Sequence, residues 1–216
     1  MQRIGILGGT FDPVHFGHLR PAVEVKAALG LQAMRLIPCR VSPHREAPLA
    51  SGEQRRELLE AAVAGMDDLV VDDRELARDG PSYTVDTLES ILADVPDARL
   101  YLVIGADAAT AFERWHRWRD LLELANLVIT YRPGWSLKVP GVIADRRVAS
   151  VYELRARAAG AVLVQAVTQL DIRATAIREL AAAGGDLRYL LPERVHHRIQ
   201  ELGLYSNPET PDPNGD

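Results

Sequence analysis

Short apolar runs and stretches of helical spacing follow one another along almost the whole 216-residue chain. The apolar runs fall at residues 3–7, 34–38, 69–71, 100–104, 126–131 and 161–167. They are mostly apolar at consecutive positions, as strands buried on both faces are. Helical spacing occupies residues 17–29, 51–63, 82–92, 148–159 and 175–183. Shorter helical pieces are expected near 108–112 and 120–124. Pro192 is expected at a first helical position, opening a last helix that Gly203 ends. The punctuation agrees with these assignments. Gly30 follows the first helix as a C-terminal cap, and Ser51 with Gln54 three residues on forms a capping box.

Alternation of this kind predicts an α/β fold built from right-handed βαβ units. The expected architecture is a single doubly wound, Rossmann-like, mostly parallel sheet with helices on both faces. Ligands of such sheets bind beyond the carboxyl ends of the strands, where the strand order reverses, so the loops after the first and fourth strands are the candidate site. A domain takes roughly 150 residues, so residues 1–205 are read as one domain. Residues 206–216 hold three prolines, three acidic residues and no apolar one, and are expected to be a disordered tail.

Hydrophobic residues make up 47% of the chain and charged residues 25%, which excludes disorder of the whole. No apolar stretch approaches the roughly 18 residues of a membrane span. The first residues lack the charged and apolar regions of a secretory leader. The formal charge of −5 makes a general nucleic-acid binder a poor fit. Cys39 is the only cysteine, so no intrachain disulfide or cysteine-based metal cluster can form. A cytoplasmic location is the expectation. The oligomeric state, monomer or homodimer, stays open.

The loop after the first apolar run reads Gly8-Gly9-Thr10-Phe11-Asp12-Pro13-Val14-His15-Phe16-Gly17-His18. Paired glycines let a ligand approach the backbone closely. His15 and His18 flank Gly17 at a loop-to-helix junction, where unsatisfied N–H groups and the positive end of the helix dipole favour an anion. Two imidazoles there can donate hydrogen bonds to phosphate oxygens. No acidic or cysteine partner at metal-site spacing accompanies them, so no metal ligands are assigned.

This string resembles the signature of the nucleotidyltransferase superfamily with the T/H-x-G-H motif. Its longer form is similar to that of the bacterial nicotinate mononucleotide adenylyltransferases. The likeness continues through residues 38–45 around His44-Arg45, through Pro81-Ser82-Tyr83-Thr84, Gly105-Ala106-Asp107 and Trp115, and on to Arg132-Pro133-Gly134 and Ile172-Arg173-Ala174-Thr175-Ala176-Ile177-Arg178. It covers about residues 3–205 in family order.

The resemblance implies adenylyl transfer from ATP to the 5′-phosphate of nicotinate mononucleotide, giving deamido-NAD and pyrophosphate, a step of NAD biosynthesis. It assigns His15, His18 and Arg178 to the ATP phosphates as catalytic groups. Gly8, Gly9, Thr10, Phe11, Gly105, Asp107, Ile172 and Thr175 join them in binding ATP. Asp12, His44, Arg45, Thr84, Trp115 and Arg132 fall to the mononucleotide. Mg²⁺ is expected with ATP, without dedicated protein ligands. Taken alone, several of these residues also fit plainer roles. Thr175 and Asp107 suit helix caps, Arg178 a solvated helix face, His44 and Arg45 a loop charge pair, and Trp115 with Trp118 a packed helical face. Arg173 and Ala174 depart from the family's serines, so Arg173 is expected either to touch the triphosphate or to point to solvent. The alternatives are a phosphopantetheine adenylyltransferase-like enzyme and a non-catalytic nucleotide-binding module on the same fold.

Overall fold

A sheet whose strands are apolar at consecutive positions needs cover on both sides. The computed structural model, which describes residues 2–42, 47–131, 141–168 and 170–206, has that arrangement. The elements in chain order are β1 (Arg3–Gly9), α1 (Phe16–Leu29), β2 (Ala33–Pro38), α2 (Gly52–Val63), β3 (Leu69–Val71), α3 (Arg74–Ala77), α4 (Thr84–Asp94) and β4 (Arg99–Gly105). There follow α5 (Ala106–Thr110), a 3-10 turn (Phe112–Arg114), α6 (Trp118–Leu124), β5 (Ala125–Tyr131), α7 (Gly141–Ala144), α8 (Val151–Ala156), β6 (Val162–Ala166), α9 (Ala174–Ala182) and α10 (Glu193–Glu201). Residues 207–216, most of the expected tail, lie outside the described residues, as do His44, Arg45 and Arg132.

The strands form one sheet in the order β3-β2-β1-β4-β5-β6. The pairs joining them are all parallel. This is the expected doubly wound α/β fold, with its switch point between β1 and β4. Strand alternation sorts the core into two layers. Ile4, Ile6, Leu100, Leu102, Ile104, Leu127 and Ile129 pack on one face with Val85, Leu88 and Ile91 of α4. Met34, Leu36, Tyr101, Val103 and Val128 pack on the other with α1, α2 and α10. Each large aliphatic chain buried this way contributes about 1.5–3 kcal/mol.

Local signals in the sequence mark several element ends. Ser51 Oγ accepts from Gln54 N, and the Gln54 side chain answers to Ser51 N, closing the capping box of α2. Gly30, at φ 53°, takes the left-handed cap of α1. Other boundaries differ. Ser82 does not begin α4, because its hydroxyl accepts from Arg40 N, and Tyr83 is the N-cap instead. Pro192 is the N-cap of α10 and not its first residue. The helix expected over 148–159 shrinks to α8: Val148 N bonds Val162 O beside β6, and Ser150 caps the helix afresh. Ser51→Ala, which removes one half of the box, is expected to lower unfolding free energy by about 1 kcal/mol in urea titration.

Candidate active site

The ladder between β1 and β4 runs from Arg3–Arg99 to Ile6–Leu102. Beyond it the two strands part. β1 stays with β2 as far as Gly9–Pro38, and β4 stays with β5 as far as Gly105–Thr130. The gap opens into a cavity of about 640 Å³ lined by Gly8, Gly9, Thr10, His18, Gly105, Thr84 and Trp115, among others. A Cβ on Gly8 or Gly105 would meet no protein atom within 4 Å. Side chains there would occupy the cavity itself, so glycine keeps the main chain open to a ligand.

The loop delivers His18 to this cavity. His15 is the N-cap of α1, in extended conformation, and its carbonyl accepts from His18 N at 2.9 Å and Leu19 N at 3.2 Å. His18 therefore stands in the first helical turn, as expected. Its ring lies 3.8 Å from the His15 ring, and the edge of Phe11 meets it at 5.0 Å. Gly17 permits this, because a Cβ there would come within 2.9 Å of the His15 ring and 3.1 Å of Ile172 O.

His15 and Phe11 do not line the cavity. His15 is 4% exposed, and desolvation lowers its pKa from 6.5 to about 4. A neutral imidazole tilted against the His18 ring supports it from outside the cavity lining. Its Nδ1 has no hydrogen-bond partner among the described residues. Phe11 is likewise buried and packs behind the loop.

Arg178 reaches the same loop from α9. It donates to Asp12 O at 2.7 Å and to Thr175 Oγ1 at 3.4 Å. The three groups expected on the phosphates thus gather around one loop, with only His18 among the cavity-lining residues. Thr175 is the second residue of α9 and not its cap, a place taken by Arg173. Arg173 has a side chain 78% exposed and pairs with Asp171 at 3.3 Å, so it points to solvent. Ile172 is half-buried against the core, and its carbonyl sets the close approach to Gly17. Asp107 is exposed at the second position of α5, which Gly105 caps, and its side chain is not in the cavity lining.

Asp12 occupies a different place from the one expected. It is 3% exposed, and its carboxylate accepts from Leu49 N, Ala50 N and Tyr205 Oη at 2.8, 3.1 and 2.6 Å. These bonds spend the carboxylate on holding the loop, and Asp12 is not among the cavity-lining residues. The far end of the cavity carries Thr84 and Trp115 as expected. It also carries Arg114, His116 and Glu75, which sequence reasoning missed. Tyr83 stacks on His116 with ring centroids 4.2 Å apart. Glu75 accepts from Thr87 Oγ1 at 2.6 Å, and desolvation raises its pKa. Only the neighbourhood of His116 beside Trp115 could have flagged it in the sequence; Glu75 lay in a helix too short to show a pattern. Among the described residues, no three acidic, histidine or cysteine side chains converge into a metal cage.

Comparisons with known proteins agree with this geometry. The Cytidylyltransferase-like family pattern matches residues 6–180. A Halorhodospira halophila protein named "Probable nicotinate-nucleotide adenylyltransferase" is 50% identical over 97% of this chain and 98% of its own length. An Aeromonas salmonicida protein of the same name is 45% identical over 94% of this chain and 96% of its own. The chain belongs to the nicotinate-nucleotide adenylyltransferase family. The fold also matches the solved structure "Plasmodium falciparum nicotinic acid mononucleotide adenylyltransferase complexed with NaAD", with a TM-score of 0.72 over 95% of this chain and 98% of that one. At 15% identity, that likeness speaks for the fold.

The His15 shift has a consequence for stability. Its pKa is depressed in the folded state, so between pH 6.5 and about 4 the unfolded chain binds the extra proton. Stability from this group is full above pH 6.5 and lost as pH falls toward 4, by about 3 kcal/mol in all. Urea titrations across that range are expected to show the loss in the wild type and a smaller one in His15→Gln.

Proposed function

We infer that this protein joins the 5′-phosphate of nicotinate mononucleotide to the α-phosphorus of ATP, forming deamido-NAD and releasing pyrophosphate. One observation carries the reading. The chain shares half its residues, end to end, with a nicotinate-nucleotide adenylyltransferase relative, and its cavity opens at the switch point on paired glycines and His18. The fold and the loop alone would also suit a phosphopantetheine adenylyltransferase or a binding module; full-length kinship with this family favours neither.

The reaction needs little acid–base chemistry. A phosphate monoester has its second pKa near about 6, so the attacking oxygen is already ionised at neutral pH. A mononucleotide oxygen forms the new bond to the α-phosphorus as the bond to the β-phosphate oxygen breaks. An anion attacks a polyanion, so the protein's work is positioning and charge stabilisation. The bare main chain at Gly8, Gly9 and Gly105 admits the nucleotide closely. The start of α1 turns its positive dipole end to the triphosphate, with His18 and Thr10 beside it. Arg178, held against the loop, turns its guanidinium to the departing β- and γ-phosphates. His15 acts by fixing the His18 ring.

Asp107 and Thr175, both at exposed helix starts, face the ATP side of the loop region in this reading. Thr84 and Trp115 take the pyridine carboxylate and ring, an aromatic face against a heteroaromatic one. His44, Arg45 and Arg132, outside the described residues, are assigned the mononucleotide phosphate. Mg²⁺ bound through the triphosphate would neutralise charge on its oxygens, and no protein ligands are assigned to it. With a lone cysteine and a reaction fed by ATP, a cytoplasmic location is our reading.

Purified protein with ATP–Mg²⁺ is expected to release pyrophosphate with nicotinate mononucleotide, less with nicotinamide mononucleotide, and none with phosphopantetheine. Preference for phosphopantetheine would overturn the substrate, and silence with all three would return the chain to a binding module. His18→Ala is expected to lower kcat by about 10²–10³ while KM moves little, because its hydrogen bond strengthens as charge shifts in the transition state.

A further inference from the structure

Behind the phosphate loop lies a buried polar cluster that the reaction does not consume. The Asp12 carboxylate is its centre. Oδ1 accepts from the Tyr205 hydroxyl at 2.6 Å and from Ala50 N at 3.1 Å. Oδ2 accepts from Leu49 N at 2.8 Å and stands 3.8 Å from Arg178 Nη1. That guanidinium spends its short bond on the Asp12 carbonyl, at 2.7 Å. Two residues earlier in the loop, the Thr10 carbonyl accepts from Arg55 of α2 at 2.7 Å, and Arg55 is 1% exposed.

Tyr205 is an unusual choice for this contact. It follows α10, whose end is tied off by Leu204 N to Ile199 O. Its φ of 63° lies in the left-handed region that side chains rarely adopt. Phe11, the residue before Asp12, has φ 52° in the same region. Backbone strain is thus held on both sides of one hydrogen bond, as happens where surrounding structure over-determines a conformation. Burial and the neighbouring carboxylate push the phenol far above its ordinary pKa, so it remains a neutral donor at every physiological pH. A neutral donor satisfies the carboxylate without removing its charge.

We propose that Tyr205 is a positioning residue for adenylyl transfer, which occupies the Asp12 carboxylate so that this group does not capture the guanidinium of Arg178. The inference rests on the reading of Arg178 as a triphosphate contact. The physical reason is competition for donors. With the phenol in place, Asp12 has three hydrogen bonds from neutral groups, and its distance to Arg178 is that of a loose ion pair. Without it, Oδ1 keeps a single donor, Ala50 N, while the guanidinium already stands 3.8 Å from the neighbouring Oδ2, the one cation in an ion pair with this carboxylate among the described residues. A closed Asp12–Arg178 pair would set a fixed carboxylate against the triphosphate for the same cation. The C-terminal segment after α10 thereby becomes part of the nucleotide site, without touching the nucleotide.

Tyr205→Phe removes only the hydroxyl and keeps the ring in its core position. In calorimetric titration with ATP–Mg²⁺, its Kd is expected to rise about tenfold, the scale of one hydrogen bond to a charged group, while Kd for nicotinate mononucleotide is unchanged. In an Arg178→Ala background, Tyr205→Phe is expected to add nothing to the ATP Kd, since the captured group is gone. A role in stability alone would lower the urea midpoint and leave both Kd values and their independence intact. Wild-type turnover with an unchanged ATP Kd in Tyr205→Phe, or additive effects in the double variant, would overturn the proposal and leave the adenylyltransferase reading standing. A wild type that binds no ATP would take both down.

Discussion

The hydrogen-bond ladder between β1 and β4 stops at Ile6 and Leu102, and the site follows from where it stops. In a doubly wound sheet the two central strands send their crossovers to opposite sides, so nothing pulls their carboxyl ends together. β1 leans with β2 and β4 with β5. The cleft between them is a product of strand order before it is a product of any side chain. Glycine at positions 8 and 105 keeps it empty, and α1 begins at its rim.

An open cleft needs a rigid wall, and the wall here is polar and buried. Asp12, His15 and Arg55 are almost fully enclosed. Enclosing such groups is costly unless they are hydrogen-bonded or discharged. Asp12 and Arg55 take the first route, through main-chain N–H and carbonyl groups and a phenol. His15 takes the second, staying neutral down to about pH 4. The outcome is a loop braced by α2, α9 and the segment after α10, on which His18 is the imidazole turned to the cavity. Arg198 of α10 pairs with Glu57 of α2 at 2.6 Å and ties the helix that leads into the last of those braces to the first.

Much of this was legible in the residues alone. The strand runs lie within a residue or two of the observed strands, and Ser51–Gln54 and Gly30 marked helix ends that the structure reproduces. Thr10, His18, Gly105, Thr84 and Trp115 do line one cavity. Other residues were misplaced for identifiable reasons. Ser82 looks like a cap until Arg40, 42 residues away, claims its hydroxyl. Thr175 looks like a cap because threonine favours that position, but the cap falls two residues sooner, at Arg173. Asp12 looks like a ligand group because a carboxylate in a glycine loop is conspicuous, and the donors that occupy it come from residues 49, 50 and 205. Glu75, Arg55 and Tyr205 carry no local mark at all.

The order of strands and helices, the open glycine backbone of the first loop and the placing of His18 in a helical first turn are decided within a few residues of chain. Period, glycine freedom and capping act over that range, so the sequence by itself determined them. Which side chains of the loop meet solvent and which become its scaffold is decided by partners up to 193 residues away. Burial depends on what packs above a group and not on what precedes it. That is why only the tertiary structure could turn Asp12 and His15 inward and leave His18 facing the cleft.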